Sequence, residues 1–283
     1  CGILAVASYR TPVSTNRLAT GLASIAHRGP DGEGILINKL KTGGEVALAH
    51  RRLSIFDLSS AGAQPMTYKG RQSITFNVSV FNWPELRSEL EEHGYRFSTQ
   101  TDTEVILAAY DKWGVDCVAR FNGFWAFAIL DMERPGPPVL FLSRDRLGIK
   151  PFYYASRPEM TVIASEIRAI NDYLDETPKV NIPELARQLV YRLGDDSDRT
   201  IYSGILELEP ATNAVLNLHT GEMKRWRYWT LQREERFAGS DEQALNKFTE
   251  LFEDAVRLRL RADREVALML SGGIDSSAIA VAV

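Results

Sequence analysis

Cys1-Gly2-Ile3-Leu4-Ala5-Val6-Ala7 opens the chain, and its reading decides the fold. A cysteine in first position carries a free α-amino group and a thiol on one carbon. Their ordinary pKa values lie near ~8 and ~8.5, so at neutral pH part of the amine can take the thiol proton as sulfur attacks. A thiol otherwise needs a separate base to become a strong nucleophile. The run Ile3-Leu4-Ala5-Val6-Ala7 is apolar and reads as a buried strand, which would pin the terminus inside a fold. Two other readings stay open on Cys1 alone. The terminus could be set merely by where the chain was cut, or Cys1 could be the lipidated first residue of a lipoprotein. A lipidated cysteine is normally followed by a polar tether, not by an apolar run.

The 283 residues suffice for two domains and a sizeable core. Apolar residues make up 45% and charged residues 25%, an ordinary globular balance. The net charge of −4 leaves no basic surplus to neutralise phosphates, which argues against a nucleic-acid partner. No stretch approaches the ~20 apolar residues of a membrane helix. Two cysteines, Cys1 and Cys117, do not make a disulfide framework, and a bridge would consume the nucleophile. Cys117 reads as a small buried hydrophobe. A reducing, cytoplasmic compartment is expected. The four histidines are scattered without metal-ligand spacing, so a protein-ligated zinc site is not expected.

Outward from the first strand, residues 16–26 carry Leu18, Leu22 and Ile25 at helical spacing, ended by His27-Arg28-Gly29-Pro30-Asp31-Gly32. Apolar segments at 34–37, 46–50 and 73–76 are short enough for strands. Asn82 followed by Glu85 has capping-box spacing for a helix with Leu86 and Leu90 on one face. Thr101-Asp102-Thr103-Glu104 opens another helix, with Gly114 as its stop. The almost wholly apolar 124–130 predicts a strand covered on both faces, paired with 139–142 across Pro135-Gly136-Pro137-Pro138. Segments 152–154 and 161–164 finish the set, which suggests two stacked sheets with helices outside. Residues ~170–235 read as a polar connector with one short helix at 183–191. Leu245, Phe248, Leu251, Phe252, Ala255 and Val256 then predict an amphipathic helix.

At the end of the chain, 266–270 predicts a buried strand, Ser271-Gly272-Gly273-Ile274-Asp275-Ser276-Ser277 a loop, and Ala278 onward a helix. Two glycines let backbone N–H groups approach an anion, the helix start adds partial positive charge, and three serines add donors. No G-K-[ST] follows, so the loop is not the usual mononucleotide P-loop. Asp275 would repel a bare anion, and its placement suits a divalent metal bridging it to a phosphate.

These stretches carry a resemblance. S-G-G-I-D-S-S resembles the pyrophosphate loop of ATP pyrophosphatases, as in the adenylating half of glutamine-dependent asparagine synthetases. The start C-G-I resembles the mature glutaminase domain of the same enzymes, a class II amidotransferase. H-R-G-P-D, H-R-R-L-S-I, A-G-A-Q-P-M, R-D-R-L-G-I-K-P-F-Y-Y, S-E-I-R-A and R-T-I-Y agree, in order, over nearly the whole chain. The resemblance implies an N-terminal-nucleophile α/β fold, a four-layer αββα sandwich over 1–205. A connector over 206–240 and an incomplete α/β ATP pyrophosphatase-like domain over 241–283 would follow.

By the same resemblance Cys1 is the nucleophile that forms a glutamyl thioester and releases ammonia. Arg52 holds the α-carboxylate of glutamine, a planar group that suits a guanidinium fork. Asp102 pairs with its α-amino group, and Asn77 supplies the side-chain donor of the oxyanion hole. Leu270, Ser271, Gly272, Gly273, Asp275, Ser276 and Ser277 would bind ATP, with Asp275 meeting Mg²⁺. The glutaminase half implies no cofactor. The implied reaction makes asparagine from aspartate, glutamine and Mg-ATP. Relatives of this architecture accept other carboxylates, and the implied assembly is a homodimer or a pairing with a separate synthetase chain.

The sequence departs from the family in two places. Asn77-Val78-Ser79-Val80-Phe81-Asn82 stands where N-G-E-I-Y-N is usual. That exchanges the glycine of the oxyanion hole for Val78 and a glutamine-holding glutamate for Ser79. A β-branched residue resists the positive φ that glycine tolerates, so weakened glutamine hydrolysis is expected. A glutaminase-like scaffold or regulator is the rival reading. Pro210-Ala211 replaces Pro-Gly, a change expected to touch only a turn.

Overall fold

The structure, a computed structural model, describes residues 1–191, 197–232 and 237–283. Among these residues the strands form two six-stranded antiparallel sheets. In the first, β1 (Gly2–Ser8) lies between β3 (Glu45–Arg52) and β9 (Met160–Ala164). The strand β2 (Gly32–Lys39) flanks β3, while β8 (Tyr153–Ser156) and β10 (Leu206–Glu207) lie beyond β9. In the second, β5 (Gln72–Val80) pairs with β6 (Gly123–Asp131), with β4 (Met66–Tyr68) at one edge. The strands β7 (Val139–Arg144), β11 (Thr212–Asn217) and β12 (Met223–Arg227) complete the other side.

Period-two alternation builds the layers. Ile3, Ala5 and Ala7 of β1 face Leu48, Ala126, Ala128 and Leu142 in the core between the sheets. Leu4 and Val6 face the other way, onto α1 (Thr15–Ser24) and α4 (Ile167–Leu174) through Leu18, Leu22, Ala169 and Ile170. Trp125, Phe127 and Ile129 of β6 likewise face α2 (Trp83–Glu92) and α3 (Asp102–Trp113). Both faces of β1 and β6 are therefore buried, which explains their unbroken apolar runs. Each large side chain so covered contributes about 1.5–3 kcal/mol. The result is the expected four-layer αββα sandwich.

Several local expectations change. Asn82 sits at the start of α2, but its side chain makes no cap there. Its Nδ2 donates to Arg120 O and its Oδ1 accepts from Asn122 N instead, tying α2 to the start of β6. The helix start carries Pro84, which needs no N–H partner. The polar stretch read as a connector supplies the half-wetted edge strands β10 and β12 and, between β12 and β7, the largely buried β11, whose Thr212, Asn213 and Asn217 break up its apolar signature. Besides α5 (Ile182–Tyr191), it is preceded by α4, whose αL cap is Asp175. The helix α6 (Asp241–Arg259) has a true capping box, Ser240 with Gln243, yet Leu245, Phe248 and Leu251 are exposed. Residues 266–270 form no strand and are exposed, because no described strand lies beside them to take their backbone groups. The last helix, α7 (Ile274–Ala282), starts earlier than expected.

The Pro210-Ala211 departure costs more than a turn. Ala211 is buried and left-handed, with φ 56°, held by its N–H to Asp145 O and by Tyr228 N–H to its own carbonyl. A left-handed L-residue costs roughly 1–2 kcal/mol, only part of which the extra unfolded-state freedom of glycine offsets. Ala211→Gly is therefore expected to stabilise the chain by about 0.5–1 kcal/mol, read as a higher urea midpoint at unchanged m-value.

Candidate active site

The first residues are fixed by their neighbours. Ile3 N donates to buried Ser165 Oγ at 3.0 Å, and Ser165 N donates to Ile3 O at 3.0 Å. The next residue, Glu166, accepts from Arg28 Nε at 2.6 Å and lies 2.8 Å from His27 Nε2. Arg28 packs on Gly2, where a Cβ would meet its Cβ at 3.2 Å. Gly29 passes so close to β3 that a Cβ would lie 2.4 Å from the backbone of Arg51. Stretches far apart in the chain thus close around the terminus.

That enclosure changes the chemistry of the amine. Burial, reinforced by the positive charges of Lys150 and Arg28 and opposed by Asp31, lowers the Cys1 α-amino pKa to about 5. At neutral pH it is a free base carrying a lone pair. Lys150 is brought there by a loop wound on buried Asp145, whose carboxylate accepts from Leu147, Ile149 and Lys150 N–H groups. The Cys1 sulfur accepts from Leu53 N–H at 3.3 Å. His50, which sequence reasoning passed over, is fully buried and held neutral, its pKa pushed down to about 3 by burial and by the adjacent terminus and Arg52. Thr75 Oγ1 donates to Ala49 O and so accepts from His50 Nδ1 at 3.2 Å. The imidazole is a spacer between the sheets, which leaves the amine as the base beside the sulfur.

Cys1, Arg52 and Asp102 line one small cleft, with Leu53, Phe56, Gln64 and Thr101 among its walls. Arg52 donates to the carbonyls of Ser59 at 2.7 Å and Phe56 at 3.4 Å, and to that of Asp57. Three of its five N–H donors are thereby used. Gly62 makes this possible, since a Cβ there would lie 2.0 Å from Arg52 Nη2. Opposite, Asp102 begins α3 and is only 3% exposed. Burial raises its pKa to about 7, against the opposing hydrogen bond from Val80 N–H. It is a carboxylate short of a positive partner.

The cleft thus brings a thiol and its neighbouring amine to face a cation and a carboxylate, and comparison with known proteins gives the family of the chain that carries it. The glutamine amidotransferase domain matches residues 1–229. The chain belongs to this amidotransferase family. An asparagine synthase model matches residues 247–283. A Methanocaldococcus jannaschii protein bearing the name glutamine-hydrolysing asparagine synthetase 2 is 35% identical over 99% of this chain and 56% of its own length. Glutamine-hydrolysing asparagine synthetase 3 of Bacillus subtilis is 37% identical over 90% of this chain and 40% of its own. The chain thus spans about half the length of the curated relatives it matches. Glutamine phosphoribosylpyrophosphate amidotransferase of B. subtilis superposes with a TM-score of 0.59 at 19% identity, over 82% of this chain and 50% of that one. It shares the fold, the class II amidotransferase sandwich.

The other residues that the resemblance singles out stand on β5 and are not among those lining the cleft. Asn77 is an inner residue of β5, not part of a turn. It is 2% exposed, and its Nδ2 has no hydrogen-bond acceptor among the described residues. Ser79 is buried in the same strand and does not line the cleft. Val78 stands opposite Trp125 in the ladder, and its side chain lies outside the described residues. Gln64 and Thr103 were missed as pocket residues, although A-G-A-Q-P-M was recognisable. Gln64 Oε1 accepts from Phe76 N at 2.8 Å, so its role is to join the pocket wall to β5.

The far loop gathers hydroxyls and helix-start N–H groups, with Ser276 Oγ donating to Gly273 O at 3.2 Å. Ser271 Oγ and Ser276 Oγ lie 3.0 Å apart, Gly272 has φ 82° with nothing within 4 Å of a Cβ, and α7 begins without a side-chain cap. Free N–H groups, hydroxyls and one carboxylate at the helix start fit a phosphate with its metal. Among the described residues no helix is long and apolar enough to cross a membrane.

The Gly62 contact gives a direct test. Gly62→Ala should lower stability by about 1–3 kcal/mol, the range for disturbing hydrogen bonds from a charged group. In an Arg52→Ala background the same change should cost far less, as a double-mutant cycle in urea would register.

Proposed function

We propose that this chain hydrolyses glutamine at Cys1 and supplies the ammonia to an ATP-dependent amide synthesis, with aspartate as the favoured acceptor. One observation carries the reading: a terminal amine held unprotonated beside its own thiol, in a cleft whose other walls present Arg52 and Asp102. A free amino acid needs a cation for its carboxylate and an anion for its ammonium. Arg52 and Asp102 supply them, and the substrate ammonium in turn stabilises the Asp102 carboxylate that burial disfavours.

The sequence of events follows from these groups. The Cys1 sulfur attacks the side-chain amide carbon while the Cys1 amine takes the thiol proton. Asn77 Nδ2 and the Val78 N–H receive the developing oxyanion. The amine returns its proton to the departing nitrogen, ammonia leaves, and a glutamyl thioester remains. Water, deprotonated by the same amine, cleaves the thioester to glutamate and restores the thiol. Leu270, Ser271, Gly272, Gly273, Ser276 and Ser277 would hold the phosphates of ATP, and Asp275 the Mg²⁺. When bound, Mg-ATP supplies the adenylyl group that activates a carboxylate.

The exchange of the usual Gly-Glu pair for Val78 and Ser79 supports a slowed first step. Val78 keeps its N–H, but a donor held out of line by a β-branched residue forfeits part of the roughly hundredfold or greater gain in kcat that one oxyanion donor supplies. Val78→Gly with Ser79→Glu is therefore expected to raise glutamate release by on the order of tenfold to a hundredfold. Equal rates would show that the exchange is silent. Covalent capture of Cys1 by a glutamine-like electrophile, followed by intact mass, separates a working site from a scaffold, which would stay unlabelled.

Two pH effects are expected in the glutaminase assay. The amine acts as its free base, so kcat should hold through neutrality and fall as pH drops through about 5. Asp102 binds ammonium only when ionised, so KM for glutamine should rise as pH falls through about 7. Asp102→Asn should raise KM and flatten that dependence. A KM of the variant that still followed pH in this window would assign the titration elsewhere.

A further inference from the structure

Between α6 and the 271–277 loop runs a segment with no strand of its own that is bound tightly to the cleft wall. Arg261 grips Glu85 through both guanidinium nitrogens, at 2.8 and 2.6 Å, and donates to Phe81 O at 2.7 Å. Asp263 N donates to Ile55 O at 2.9 Å, and Asp263 Oδ2 accepts from Asp57 N at 2.7 Å. Arg264 Nε donates to Ser54 O at 2.9 Å, and its Nη2 lies 3.4 Å from Asp31 Oδ2. That carboxylate oxygen also accepts from Ser54 N at 2.9 Å.

Residues 54–57 are the part of the wall that needs holding. They lie between Leu53, whose N–H meets the Cys1 sulfur, and Ser59, whose carbonyl meets Arg52. Ile55 and Phe56 line the cleft itself. Asp57 is left-handed, with φ 48°, a conformation open to Asp through its local hydrogen bond from Ser59 N and fixed here by its other partners. Its N–H goes to Asp263 and its carbonyl to Arg52, so one peptide unit on each side of Asp57 links the two side chains.

We propose that Asp263 and Arg264 are positioning residues for glutamine. They clamp the 54–57 strip from outside, and through Asp57 they set where the Arg52 guanidinium waits for the substrate carboxylate. The proposal rests on the reading that Arg52 receives glutamine. It adds that residues outside the matched amidotransferase stretch of 1–229 belong to the affinity of its pocket. The segment leads within a few residues to Ser271, so the glutamine cleft and the phosphate-type loop share one strap.

The test is steady-state glutamate release from the full 283-residue chain, with hydrogen exchange of the peptide covering 54–59. Asp263→Ala should raise KM for glutamine about tenfold, the size of one charge-assisted hydrogen bond, and leave kcat within about twofold. It should also speed exchange in 54–59. Asp263→Asn keeps an oxygen for the Asp57 N–H and should restore both readouts to near the native values. Arg264→Met should raise KM in the same direction. An unchanged KM in Asp263→Ala beside a raised KM in Arg52→Lys overturns the strap alone. An unchanged KM in Arg52→Lys overturns the underlying assignment of Arg52. Equal damage in Asp263→Asn and Asp263→Ala would also refute the hydrogen-bond account.

Discussion

The pairing of β1 between β3 and β9 is the constraint on which the rest depends. It sets the first residue of the chain at the end of a central strand, where an ammonium ion loses much of its hydration. A cation at such a place either finds an anion or gives up its proton. Here Lys150 and Arg28 stand nearer in effect than Asp31, so the proton is given up. The fold thus makes a base without spending a histidine on it. The buried histidine beside it, His50, is silenced by the same burial.

Asp102 shows the complementary use of desolvation. An isolated carboxylate in a nearly dry pocket holds its proton to unusually high pH. A ligand that brings a positive charge relieves that strain, and one without it does not. Arg52 works differently. Its guanidinium is saturated on one side by backbone carbonyls and so has one orientation to offer, a preorganised fork for a planar anion. The cleft's two charges are held apart by separate elements, β3 and α3.

Much of the architecture was legible in the sequence because burial on both faces leaves a plain mark. The runs around Ile3 and Phe127 could hardly be anything but interior strands. The late strands were not legible. The short strands β10, β11 and β12 mix polar and apolar residues, and α4 was hidden inside a quoted motif. Asn82 misled because its cap-like spacing is satisfied by another partner, the loop before β6. Residues 266–270 misled because an apolar run says nothing about whether a neighbouring strand is at hand. At the site, Cys1, Arg52 and Asp102 were found from their resemblance and do share a cleft. The burial of Asp102, the placement of Asn77 within a strand and the supporting parts of Gln64, Gly62 and Asp57 are tertiary facts. Asp145 does have a local signature, its carboxylate bridging amides two, four and five positions on.

Cys117 gives the chain a chemical asymmetry. It is wholly enclosed, and enclosure drives its thiol well above the ordinary range, so it neither ionises nor meets solutes while the fold is intact. Peroxide, heavy metals and other sulfur-seeking agents are therefore funnelled to the terminal residue. Inactivation would come long before any loss of architecture, and a poisoned molecule would remain a well-folded one.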